Sequence, residues 1–87
     1  KDAVLLDIRP KKEFEEGRIS QSVHVGPDLE SCKKHCQKNK DKPLIIVCQN
    51  GTNSSKMATD LKKDQINVFV LKGGVNNWLS EKMPLIN

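Results

Sequence analysis

Four short apolar runs recur along the chain, and segments of helical character separate them. The first is Val4-Leu5-Leu6-Asp7-Ile8, stopped by Pro10, which has no N–H to give a sheet ladder. The second is Ser22-Val23-His24-Val25, broken by Gly26-Pro27. Leu44-Ile45-Ile46-Val47-Cys48 is the third, and its unbroken apolar character predicts burial on both faces. Val68-Phe69-Val70-Leu71 is the fourth. Strand and helix alternating four times predict an α/β fold, with a parallel sheet of four to five strands and helices on both faces.

The helices carry their own signals. Lys11 to Glu16 reads as a short helix anchored by Phe14, with Gly17 as its C-cap. Asp28 is suited to cap a helix from Leu29 to about Lys38. Leu29, Cys32 and Cys36 recur at three and four, so they share its buried face. Asn53 or Ser54 can cap the next helix, whose apolar stripe is Met57, Ala58 and Leu61. Gly73-Gly74 turns the chain into a last helix carrying Val75, Trp78 and Leu79, and Met83-Pro84-Leu85 closes the fold.

The 87 residues suffice for one domain, residues 1–87, near the small end for burying a core. With two Phe and one Trp, aliphatic side chains must supply that core. No apolar stretch approaches the roughly 20 residues of a membrane helix, so no membrane segment is expected. Three cysteines, an odd count with no familiar disulfide spacing, point to a reducing compartment and a cytoplasmic location. The net charge is +4, with Lys33, Lys34, Lys38, Lys40 and Lys42 crowded together. No aromatic residue interleaves with these lysines, so they read as a solvated face rather than a nucleic-acid surface.

In open parallel sheets, sites form beyond the carboxyl ends of the strands. Cys48 lies at such an end, as do Asp7 with Arg9, and Gly73-Gly74. After Cys48 come Gln49-Asn50-Gly51-Thr52-Asn53 and then a helix start. Gly51 permits a backbone conformation closed to other residues, so that successive N–H groups can point inward. Those groups and the helix dipole favour an anion, and a thiolate is one. A cysteine ending a core strand is also an ordinary packing residue; the glycine loop and capped helix weigh against that reading. No histidine or acid adjacent in sequence offers a general base. A mechanism needing only a stabilised thiolate therefore fits better than a Cys-His hydrolase.

Taken together, these segments resemble the rhodanese domain, the single-domain sulfurtransferase type. Val4-Leu5-Leu6-Asp7-Ile8-Arg9 is similar to the family's strand ending in Asp-x-Arg, and Glu13-Phe14-Glu15-Glu16-Gly17-Arg18-Ile19 to its Glu-Phe-x-x-Gly-His-Ile segment. Ile46 to Ser54 resembles its strand and Cys-x-x-Gly-x-Arg-Ser loop. Val70-Leu71-Lys72-Gly73-Gly74 with Trp78, and then Met83-Pro84-Leu85, resemble its closing motifs. The family's first short strand and helix have no counterpart, which implies a domain shortened at its N-terminus.

The resemblance implies a three-layer rhodanese-like fold and a persulfide mechanism with no metal or organic cofactor. Cys48 would take sulfane sulfur from a small anionic donor such as thiosulfate. It would pass that sulfur to cyanide or a protein thiol. The loop residues Gln49, Asn50, Gly51, Thr52 and Asn53 would bind the substrate. Two departures stand out. Asn53 occupies the family's arginine position, so the loop carries no charge, and Arg18 replaces a histidine. Lys56, Arg9 or Lys72 are the nearby cations that could supply the charge. Thiosulfate is therefore expected to be a poor donor. A non-catalytic, partner-binding module is the alternative: the missing arginine favours it, and retention of Cys48 opposes it. The related phosphatases need arginine six positions after the cysteine, where Ser54 stands. Cys32, His35 and Cys36 lie within one helix without an obvious fourth ligand, so a metal site is not expected.

Overall fold

The computed structural model describes residues 3–86. Its elements are β1 (Val4–Asp7), α1 (Lys11–Glu16), β2 (Val23–His24), α2 (Leu29–Lys38), β3 (Leu44–Val47), α3 (Thr52–Lys63), β4 (Phe69–Val70) and α4 (Gly74–Ser80). The strands form one four-stranded sheet in the order β2-β1-β3-β4, with every neighbouring pair parallel. The chain therefore steps outward from β1 to β2 on one side and from β3 to β4 on the other. The carboxyl ends of β1 and β3 meet at the reversal between those halves, where open parallel sheets bind ligands.

Strand alternation sorts the core into two layers. Leu6, Ile8, Leu44, Ile46 and Cys48 face α2 and α3, which contribute Cys32, Cys36, Met57 and Leu61. Val47 faces the other way, with Ile19 and Val75 of α4; Leu5, Ile45, Trp78 and Leu85 pack around them. The helices thus cover both faces, as the alternation predicts. Cys48 has the same parity as Ile46, so its side chain emerges on the α3 side of the sheet.

Local chemistry accounts for most of the boundaries. Asp28 caps α2 by accepting the Ser31 N–H at 3.0 Å. Lys33 ties α2 to the end of α3 through Asp64 at 2.6 Å. The C-terminal tail folds back over α4: Trp78 Nε1 donates to the Pro84 carbonyl at 2.9 Å, and Ile86 pairs with Arg18.

One expectation needs correction. α3 starts earlier than an Asn53 or Ser54 cap would place it. Gly51 is its N-cap, and Ser54 is buried and turned inward rather than capping. Gly17 closes α1 as its C-cap, as expected, in an extended rather than left-handed conformation at φ 169. Its bare Cα matters for a different reason: a Cβ there would meet Leu85 Cδ1 at 3.2 Å. On α4, Val75 is buried and Leu79 is 48% exposed.

Leu61 is fully buried between α3 and the sheet. Leu61→Ala is expected to lower stability by about 2–5 kcal/mol, through lost burial and the cavity left behind. Urea denaturation checks this as a fall in midpoint with an unchanged slope.

Candidate active site

Cys48 leaves β3 one residue after the last ladder pair and is only 1% exposed. The loop turns back over its sulfur. The N–H groups of Gly51 and Ser54 point at Sγ, at 3.0 and 3.2 Å. Gly51 makes this turn at φ 93, a left-handed conformation that costs glycine little. Ser54 supplies a second contact, its Oγ lying 3.2 Å from Sγ. As a thiol, Cys48 donates to that oxygen, and the Ser54 hydroxyl donates to the Gly51 carbonyl at 3.2 Å. As a thiolate, Cys48 can instead accept a hydrogen bond from the Ser54 hydroxyl.

Burial is the strongest influence on the Cys48 thiol and opposes ionisation. The Ser54 hydroxyl, then the N–H groups of Ser54, Gly51 and Asn50, together outweigh it. The thiol therefore titrates below its ordinary value. The donors that face the sulfur are neutral dipoles, without a cationic side chain among them.

The loop is held from the far side by α4. The N–H of Val75 donates to the Cys48 carbonyl and that of Asn76 to the Gln49 carbonyl, each at 2.8 Å. Gly74 makes this approach possible. A Cβ at Gly74 would lie inside contact distance of the Cys48 carbonyl oxygen and 2.7 Å from Gln49 C, and its φ is 62. Gly73-Gly74 thus serves the turn and a close contact, but the contact is with the Cys48 loop itself.

The strand ends add a buried brace. Arg9 Nη2 and Asp7 Oδ2 are 2.8 Å apart, with both side chains nearly inaccessible. Arg9 Nε also donates to the same carboxylate, and Nη2 to the Gly17 carbonyl at 2.7 Å. Nη1 reaches Gln49 Oε1 at 3.4 Å. Asp7 and Arg9 thus order the strand-end loops. Arg9 is spent on these partners and does not present a free charge to a ligand.

Residues 1–81 match the family model described as Rhodanese-like domain.

The chain belongs to the rhodanese-like family.

It is 36% identical over 88 residues to the Uncharacterized protein YibN of Escherichia coli strain K12, covering 98% of this chain and 62% of that protein. It is 34% identical to the Adenylyltransferase and sulfurtransferase UBA4 of Scheffersomyces stipitis, over 90% of this chain and 20% of that one. It is 28% identical to the Thiosulfate sulfurtransferase GlpE of Coxiella burnetii, over 90% of this chain and 73% of that protein. The chain therefore spans less than two thirds of the length of YibN, and a small part of UBA4. Among solved structures, it superposes on a thiosulfate sulfurtransferase from Pseudomonas aeruginosa with a TM-score of 0.85 at 23% identity, covering 99% of this chain and 17% of that one. A rhodanese-related protein from Thermoplasma volcanium gives a TM-score of 0.82 at 22% identity, covering 98% and 84%. These structural likenesses speak for the fold.

Within this rhodanese-like loop the residues divide by role. Cys48 and Gly51 form the cradle. The Gln49 side-chain amide donates to Asn76 Oδ1 at 2.6 Å and anchors the loop to α4. Asn50 accepts the Thr52 N–H through Oδ1 at 3.0 Å, which caps the helix start and occupies one loop donor. Thr52 and Asn53 are exposed on the first turn of α3. Lys72 and Thr52 line an open hollow of about 410 Å³ on the β4 side of the loop. Lys56 and Asn53 line a crevice on the β1 side. Arg18 lies over the Phe14 ring at 4.9 Å, a packing contact. His24 bonds the Arg9 carbonyl at 3.0 Å. Among the described residues no cluster of His, Cys, Asp and Glu is arranged to hold a metal. Cys32 and Cys36 are buried free thiols, and contact with Cys36 pushes the Cys32 thiol up.

Ser54 and Asn76 are the site residues that sequence reasoning missed. Ser54 was visible as the last residue of the family motif, but its inward rotamer was not. Asn76 has no motif, and only the α4 contact reveals it.

Two outcomes test this construction. Ser54→Ala removes one donor from the thiolate, so the pH midpoint of Cys48 alkylation by iodoacetamide is expected to move upward. Gly74→Ala forces a Cβ into the Cys48 loop with a left-handed backbone. Denaturant unfolding is expected to show a loss of at least about 2 kcal/mol.

Proposed function

We propose that this rhodanese-like chain is a sulfurtransferase that carries sulfane sulfur as a persulfide on Cys48. The observation that carries the reading is the Cys48 thiol, which is held between the Gly51 and Ser54 N–H groups and the Ser54 hydroxyl and titrates below an ordinary thiol. The similarity to the sulfurtransferases GlpE and UBA4 supports the same reaction class.

The thiolate attacks the outer sulfur of a small anionic donor. A bond forms between that sulfur and Cys48 Sγ, and the donor's own sulfur–sulfur bond breaks. The electron pair leaves with the remainder of the donor, sulfite in the case of thiosulfate. The persulfide then gives its outer sulfur to a thiophilic acceptor, cyanide or a protein thiol, and Cys48 returns as thiolate. Backbone donors aimed at the sulfur need no reorganisation at either step. A thiol with a lowered pKa is also the better leaving group in the second step.

A neutral loop fits inorganic oxyanions poorly. Asn53 holds the exposed position from which an arginine would clamp thiosulfate oxygens, and Arg9 is fully engaged with Asp7 and Gly17. Thiosulfate is accordingly a weak donor in this reading.

Intact-mass spectrometry after incubation with polysulfide is expected to show a gain of one sulfur atom, absent in Cys48→Ser. No adduct with any sulfur donor would exclude the activity and leave the partner-binding module in its place. The loading rate should rise with pH and level off below the pH at which an ordinary thiol would. In a thiosulfate:cyanide assay, Asn53→Arg should lower the thiosulfate KM about tenfold, the worth of one charge-assisted hydrogen bond. An unchanged KM would show that the neutral loop does not limit this donor.

A further inference from the structure

Beside the loop, on the β1 side, a crevice of about 310 Å³ opens at Asn53. Its floor is apolar: Ile8, Leu29 and Met57, with Pro27 at one wall. Ile8 and Met57 belong to the same packed cluster as Cys48, and Asn53 directly precedes Ser54, whose N–H and hydroxyl contact Sγ. The crevice lies where the sheet order reverses between β1 and β3, beyond their carboxyl ends. The persulfide mechanism does not require an apolar floor there for cyanide or thiosulfate, neither of which has a hydrocarbon part.

The rim of the crevice is charged. Lys56 sits one turn along α3 from Asn53, is exposed, and enters no ion pair among the described residues. Asp60, the other charged lining residue, has Lys63 Nζ 3.9 Å from its carboxylate. An apolar floor beneath an unpaired ammonium matches a ligand with a hydrocarbon body and an anionic end.

We infer that this crevice receives the sulfur acceptor, a small organic thiol with an apolar chain and a carboxylate, and that Lys56 reads the carboxylate as a specificity-determining residue. The inference rests on the persulfide reading of Cys48. The acceptor thiolate attacks the outer sulfur of the Cys48 persulfide. A sulfur–sulfur bond forms to the acceptor, and the bond to Cys48 Sγ breaks. The electron pair returns to Cys48 as the thiolate facing Gly51 and Ser54. The acceptor leaves as an organic persulfide that keeps the outer sulfur's proton, and no oxidant or reductant is consumed.

The test uses protein loaded with polysulfide and follows loss of the extra sulfur by intact mass. The acceptors are mercaptoethanol, mercaptohexanol and mercaptohexanoate, with each rate expressed per thiolate. Discharge is expected to be faster with mercaptohexanol than with mercaptoethanol. It should be about fivefold faster again with mercaptohexanoate at low salt, the upper range for an exposed ion pair. That preference should shrink as salt rises. Lys56→Gln should bring the mercaptohexanoate-to-mercaptohexanol ratio to about one, and Lys56→Glu should bring it lower still. Equal rates for the two long thiols, or a ratio that Lys56→Gln leaves unchanged, overturn the role of Lys56. No gain from chain length overturns the role of the apolar floor. Both results leave the persulfide reading standing. Failure of polysulfide to load Cys48 overturns that reading and this inference together.

Discussion

The approach of Gly74 to the carbonyl of Cys48 is the constraint on which the site depends. A loop of neutral residues has no charge to hold its shape, so its shape must be imposed from outside. The first turn of α4 does this by donating the N–H groups of Val75 and Asn76 to the carbonyls of Cys48 and Gln49. With those carbonyls drawn outward, the N–H groups of Gly51 and Ser54 are left facing the sulfur. A side chain at Gly74 would hold α4 away and release the arrangement. The final helix of the chain is thereby part of the cradle, although it contributes no atom to the sulfur's surroundings.

The electrostatics follow from the same economy. The ionised thiol gains from oriented dipoles at short range, and burial works against it. Cationic side chains do exist at the carboxyl ends of the strands, but the most central one, Arg9, is buried in its pairing with Asp7. That pair also gathers Gly17 and Gln49, so its effect is to fasten α1, β1 and the loop together. An ion pair so buried is costly unless its remaining polar atoms are satisfied, and here the Gly17 carbonyl and the Gln49 amide satisfy them. The charges open to a ligand sit on the outer rims, Lys56 on one side of the loop and Lys72 on the other.

Much of the fold was legible because its signals are local. Apolar runs bounded by Pro10, Gly26-Pro27 and Gly73-Gly74 mark strands and turns, and Asp28 marks a helix start. The errors have physical causes. Ser54 has the chemistry of a cap, but packing against the sulfur outcompeted that use, and Asn50 took over the Thr52 N–H. Gln49 lies within the loop motif, yet Arg9 and Asn76 claim its side chain.

The sequence by itself determined the parallel α/β architecture, the place of Cys48 at the end of β3, and the absence of charge in its loop. Tertiary structure decided the rest. It turned Ser54 toward the sulfur, drew Gln49 away to Asn76 and consumed Arg9 internally. It also set Lys56 above an apolar crevice. Each of those outcomes depends on which groups from distant segments arrive within a few ångströms, and sequence order does not encode that proximity directly.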